Sequence, residues 1–155
     1  MNKIAPLLLV CFTILISSKS FAQDWKYDFD EAIALANKKD QKIVLFFTGS
    51  DWCPPCIKLE RNILSSEKFD AFADQKYVWL KADFPKRKKN RISKVQKEKN
   101  ERLAAKYNKR MVFPAILILN KKGVVLGATG YRRDLDVDGY ISLLTSFDSF
   151  DSFDL

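Results

Sequence analysis

Two cysteines stand three positions apart in the stretch Asp51-Trp52-Cys53-Pro54-Pro55-Cys56, which closely follows the apolar run Ile43-Val44-Leu45-Phe46-Phe47. That spacing suits three chemistries: a structural clip, half of a metal site, or a reversible dithiol–disulfide couple. A clip closing so small a ring restrains the unfolded chain little, because the entropic effect of a crosslink grows with loop length. Zinc sites usually draw on four Cys or His ligands, and this chain has no histidine and no second cysteine pair. The redox couple uses everything present and is the favoured reading. A helix opening at the pair would offer its N–H groups and dipole to a thiolate at Cys53. Cys53 would attack a substrate disulfide, and Cys56, one helical turn along, would then displace the product.

The number of available thiols depends on the N-terminus. Lys3 is followed by the apolar stretch Ile4–Ile16, and Ser20-Phe21-Ala22 places small residues at the −3 and −1 sites of a cut. This is the pattern of a secretory signal peptide over residues 1–22, and its 13-residue apolar stretch falls short of the roughly 20 residues that span a bilayer. Cleavage after Ala22 removes Cys11, leaving residues 23–155 as one domain with Cys53 and Cys56 as an even pair. An exported, periplasmic setting is oxidising enough for such a pair to cycle.

The elements that must position the pair can be read from periodicity. Residues 24–29 alternate Trp25, Tyr27 and Phe29 with charged residues, as a half-buried strand does. Asp30 is placed to cap a helix reaching about Lys38. Lys42–Thr48 is a strand covered on both faces, and a helix opens at the cysteines, where proline suits the first helical position. Ser65-Ser66-Glu67 bends or restarts that helix. A strand over Lys76–Phe84 follows and ends at Pro85. After a long basic segment, Pro114–Asn120 and Gly123–Ala128 form a hairpin, and a last helix spans about Leu135–Phe147. The order β-α-β-α-β-α-β-β-α predicts an α/β fold whose closing hairpin makes the sheet mixed. The terminal Ser-Phe-Asp triplets read as a frayed helix end.

A buried strand, then Asp51-Trp52-Cys53-Pro54-Pro55-Cys56, a helix, and Val112-Phe113-Pro114 before another apolar strand together resemble the thioredoxin superfamily across nearly all of residues 23–155. Gly49-Ser50-Asp51-Trp52-Cys53 and Asp83-Phe84-Pro85 are most similar to exported thioredoxin-like domains. The C-terminal domain of the bacterial membrane disulfide reductase is a related example. The resemblance implies a thioredoxin-like fold, with a central mixed sheet flanked by helices and a basic helical segment between the third and fourth strands. It implies that Cys53 is the nucleophile and Cys56 the resolving thiol of a Cys53–Cys56 disulfide, with no cofactor and no metal. It makes Pro114 the cis-proline opposite the sulfurs, the backbone at Phe113 the seat of the substrate chain, and Trp52 a flanking contact surface. Two positions depart from the family pattern. Phe46 or Phe47 stands where thioredoxins usually carry a buried Asp, and Ala115 where a Thr commonly follows the proline. Proton transfer at Cys56 then falls to water, Asp83 or Lys58.

The direction of electron flow rests on the residues around Cys53. Pro54 and Pro55 lack N–H groups, so only the Cys56 N–H, and at most the Ile57 N–H besides, can reach the sulfur. Asp51 adds nearby negative charge, while Lys58 and the helix dipole act the other way. The balance favours a poorly stabilised thiolate, hence a reducing couple nearer thioredoxin than the strongly oxidising relatives.

The formal charge is +8, falling to +6 without Lys3 and Lys19, and residues 86–110 alone carry twelve Lys/Arg against two Glu. Ile92, Val95, Leu103 and Tyr107, with the stem of Lys99 in the gap, predict one inward helical face with the charges in solvent. Nucleic acid is not the expected partner, because the segment lacks interleaved aromatics. The expectation is a monomeric, exported thiol–disulfide oxidoreductase that acts on exported protein disulfides, reducing or exchanging them, with a membrane electron carrier as its reductant. It has no stable membrane insertion after cleavage. The competing class is a redox-inactive module of the same fold that presents its basic face to an acidic partner.

Overall fold

The computed structural model describes residues 24–149; the leader with Cys11, the cut at Ala22 and the tail from residue 150 lie outside the described residues. The strands are β1 (Trp25–Lys26), β2 (Lys42–Thr48), β3 (Tyr77–Asp83), β4 (Ala115–Leu119) and β5 (Val125–Thr129). The helices are α1 (Phe29–Lys39), α2 (Pro54–Leu59), α3 (Glu67–Lys76), α4 (Lys94–Tyr107) and α5 (Val137–Ser146). They form one five-stranded sheet in the order β1-β3-β2-β4-β5. β1 and β2 run parallel to β3, whereas β4 is antiparallel to both β2 and β5, so the sheet is mixed.

Every residue of Ile43–Phe47 is fully buried, because β2 is central and both its faces are covered. Alternation sends its side chains to two cores. Val44 and Phe46 join Trp79, Ile116 and Ile118 beneath α2, α3 and α5. Ile43, Leu45 and Phe47 join Leu80, Leu117 and Leu119 beneath α1 and α4.

The elements meet the sequence expectation with local corrections. β1 is only two residues long, and Tyr27 is exposed rather than half-buried. Asp28, not Asp30, caps α1, its carboxylate accepting the Glu31 N–H at 3.0 Å. Asp28 also takes a bond from Lys99 Nζ at 2.6 Å, which holds its carboxyl below the usual range. Lys99 thus ties α4 to the start of α1 rather than ending in water. Ser66 restarts the chain as α3, accepting the Phe69 N–H at 3.3 Å after a π turn over Glu60–Leu64. Basic α4 does lie between β3 and β4, with Leu103 and Ala104 inward. Ile92 precedes it, however, and Val95 is 63% exposed, so the inward face is shorter than the spacing implied. A buried polar residue also belongs to that face: Asn100 faces the sheet and donates to the Asp83 carbonyl at 2.7 Å.

Candidate active site

β2 ends at Thr48, and the next residues turn the chain across the end of the sheet. Asp83, in register with Thr48 at the end of β3, holds that turn by accepting the Ser50 N–H at 3.0 Å and the Ser50 hydroxyl at 2.6 Å. Asp83 is therefore a clamp on the cysteine loop. At Gly49 a side chain is excluded, since a Cβ there would meet the Trp52 indole at 2.5 Å. The glycine lets the indole fold back over the loop, where Trp52 Nε1 donates to the Phe84 carbonyl at 2.7 Å.

Cys53 occupies the cap position of α2, and Pro54 and Pro55 fill the first two helical positions. A disulfide joins Cys53 to Cys56, with S–S 2.05 Å and Cα–Cα 5.2 Å. The two cysteines are not equivalent. Cys53 keeps 3% of its surface exposed and Cys56 none. The Cys56 N–H donates to Cys53 Sγ at 3.3 Å, whereas the Ile57 N–H goes to the Cys53 carbonyl at 3.1 Å. Among the described residues, one backbone donor thus reaches Cys53 Sγ.

Pro114 is buried, and the Phe113–Pro114 peptide is cis. β4 starts one residue later with Ala115 opposite Phe47, which puts Pro114 beside the end of β2 where the cysteine loop departs. Phe113 stands edge-on to Trp52 with ring centroids 5.6 Å apart, and packs on Phe84 at 5.4 Å. Lys86 Nζ lies 3.7 Å from the centre of the Trp52 ring. Trp52, Phe113 and Pro114 are accordingly gathered around the loop that carries the pair.

Asp51 has a different setting. The Lys86 and Arg87 backbone N–H groups donate to its two oxygens at 2.9 and 3.0 Å, and Asn90 Nδ2 adds a third bond at 2.9 Å. Those donors, the Lys86 N–H foremost, hold the carboxyl below its ordinary pKa. Asp51 thereby fastens the start of the basic segment to the cysteine loop. Lys58 stands exposed on α2.

Sequence reasoning missed one pair. Glu60 follows Cys56 by one helical turn, its N–H donating to the Cys56 carbonyl, so the two side chains share a helix face. Its carboxylate meets Lys81 Nζ, which also sits 4.2 Å from the centre of the Trp25 ring. The pair lies largely beneath the surface, with 12% of the Lys81 side chain exposed. The signal was a lone lysine in the apolar strand "YVWLKAD", whose partner is not deducible from spacing.

Comparison with known proteins agrees with this geometry. A family described as thioredoxin-like matches residues 24–121. The disulfide bond reductase DsbH of Chlamydia pneumoniae is 37% identical over 104 residues; the match covers 67% of this chain and 61% of that protein's length. A solved DsbH oxidoreductase superposes with a TM-score of 0.73 at 33% identity, covering 81% of this chain and 83% of that one. The oxidised C-terminal domain of DsbD from Neisseria meningitidis shares the fold, with a TM-score of 0.53 at 14% identity over 76% of this chain and 90% of that one. With the mixed sheet, the cysteine pair at the head of α2 and a proline-led β4 all in place, the chain belongs to the thioredoxin-like family.

Proposed function

We propose that this protein is an exported thiol–disulfide oxidoreductase that works mainly as a reductant of protein disulfides. The observation that carries the reading is the Cys53–Cys56 disulfide at the head of α2, with Cys53 the more exposed of the two residues. The likeness to a disulfide bond reductase supports it. In the reduced enzyme, the Cys53 thiolate attacks one sulfur of a substrate cystine, and the other leaves as a thiolate that takes up a proton. The Cys56 thiolate then attacks Cys53 Sγ, expelling the second substrate thiol and closing the enzyme disulfide. Two electrons and two protons pass to the substrate, and a dithiol, supplied by a membrane electron carrier, restores the enzyme. Phe113 and Pro114 receive the substrate backbone, and Trp52 walls the approach.

Hydrogen bonding supports this direction. With Pro54 and Pro55 lacking N–H groups and the Ile57 N–H engaged elsewhere, the Cys53 thiolate has one backbone donor. A poorly stabilised thiolate favours the disulfide form of the enzyme, which makes the dithiol a good electron donor. The Asp51 charge adds to this, offset in part by Lys58 and the helix dipole. Export rests on the leader in residues 1–22. Among the described residues no helix is long and apolar enough to cross a membrane.

Insulin-disulfide reduction tests the reading: the wild type is active and Cys53→Ser inactive, while Cys56→Ala accumulates the mixed disulfide. Activity that survives Cys53→Ser rejects the mechanism. A redox titration should place the couple nearer about −270 mV than about −120 mV, and a value at the oxidising end reverses the proposed direction.

A further inference from the structure

An open groove of about 750 Å³ lies directly beside the cysteine loop, between that loop, the basic segment and the residues leading into β4. Its floor is apolar: Trp52, Phe84, Phe113 and Met111. Its far wall is cationic, formed by Lys86, Arg91, Lys94 and Lys97. The volume is that of a site for one or two large side chains.

Three features make the groove a built structure. Asp51 holds the near end of the basic wall through its three bonds to residues 86–90. Asn108 fixes the opposite lip, its side chain donating to the Val112 carbonyl and accepting the Val112 N–H, each at 2.9 Å. That lip turns through Met111, whose φ of 50° lies in the left-handed region. Met111 is left 45% exposed and Val112 51%, so the apolar floor continues outward beside Phe113. Arg91, Lys94 and Lys97 are also available, whereas Lys86 lies over the Trp52 ring. Among the described residues no carboxylate lies within ion-pair distance of Lys86, Arg91 or Lys94, and Lys97 meets only Glu101, at 3.6 Å. Within the groove Asp83 is the one acidic residue, and Ser50 occupies both its oxygens.

We propose that this groove recognises the substrate polypeptide, taking an aromatic or large aliphatic side chain that lies near the target cystine and is flanked by carboxylates. The apolar floor desolvates the side chain, and the flanking carboxylates pair with Arg91, Lys94 and Lys97. Because Trp52 and Phe113 belong both to this floor and to the surroundings of Cys53, a segment seated here brings its neighbouring cystine to the reactive sulfur. A flat anionic surface would not fill so concave a floor. The role in turnover rests on the redox reading above; the binding itself does not.

Two cystine peptides test it, identical except that Asp-Phe-Asp or Lys-Phe-Lys adjoins the cystine. The wild type should prefer the acidic peptide by about tenfold in kcat/KM, mainly through KM, at low salt. Arg91→Glu with Lys94→Glu should reverse that preference, the milder Arg91→Gln with Lys94→Gln should halve its logarithm, and 1 M salt should erase it in the wild type. Equal use of the two peptides, or a preference that survives charge reversal, overturns the proposal. Wild-type turnover of hydroxyethyl disulfide reports the redox reading separately. If that turnover is absent the redox reading fails, and the groove is judged by titrating a cystine-free Asp-Phe-Asp peptide against Trp52 fluorescence. No saturable quenching at millimolar peptide would then overturn the groove as well. Residues 146–154 of the chain carry the same aromatic–acidic pattern. Self-association that disappears on Arg91/Lys94 reversal would therefore assign the groove to a second copy and reject a substrate there.

Discussion

The two faces of the sheet are built differently. Beneath α2, α3 and α5 the core is aromatic: Trp79 meets Trp25 at 5.2 Å and Phe69 at 5.7 Å, and Phe72 packs on Tyr77 at 5.9 Å. The Glu60–Lys81 pair is set into that face beside the cysteine helix. Beneath α1 and α4 the core is mostly aliphatic and small, with Ala32, Ala36, Ala82 and Ala104 among its buried members. Rings in edge-on and tilted contact join β1, β3 and α3 on this face. Small side chains fill the space between the sheet and α1 and α4, and the charged residues of α4 lie on its outer side, Lys99 reaching Asp28 at the start of α1.

The comparison breaks most readily at its largest side chains. Phe69→Ala should cost about 3–5 kcal/mol in chemical denaturation, against about 2–4 kcal/mol for Leu103→Ala on the other face. Equal losses would deny that the aromatic face is the more tightly interlocked. Glu60→Ala should be next, at about 1.5–3 kcal/mol, because it strands the Lys81 ammonium beside an indole. Its redox potential should move as well, which a purely structural ion pair would not produce.

Asp51→Asn probes the seam between the faces by pH. The folded-state pKa of Asp51 is depressed, so its stabilising contribution is complete above the ordinary carboxylate value of about 4. That contribution fades as pH falls through the lower folded value. The stability gap between wild type and Asp51→Asn should therefore be constant from about pH 5 to 7 and shrink below about pH 4. A gap that widens on acidification would contradict the three-donor arrangement. The smallest effect is expected for Val95→Ser, within about 0.5 kcal/mol, because the side chain projects into solvent. A larger loss would restore the longer inward face that the spacing suggested.

What could be read from the sequence was whatever depends on neighbours along the chain. The continuous apolar run of β2, the prolines behind Cys53, and the proline opening β4 each carry a local backbone consequence, and each stands where expected. The cap of α1 moved by two residues because Asp28 and Asp30 are equally good caps, and Lys99 arrives from 71 residues away to favour the first. Asp51 illustrates the same limit more sharply. Next to Cys53 in sequence it reads only as a source of negative charge, but its oxygens also hold groups 35 to 39 residues ahead. Glu60 and Lys81 find each other across 21 residues. Val95 fails for the opposite reason: helical periodicity assigns it a face, but the short reach of α4 over the sheet leaves that face uncovered.

Gly49 sets a boundary on how this molecule can vary. A methyl group there would strike the indole of Trp52 at three atoms and lever it off the Phe84 carbonyl. The displaced ring would also lose its edge-on contact with Phe113. One added methyl, at a residue that owns no side chain, would thus disturb the cysteine loop and the rim of the neighbouring groove together.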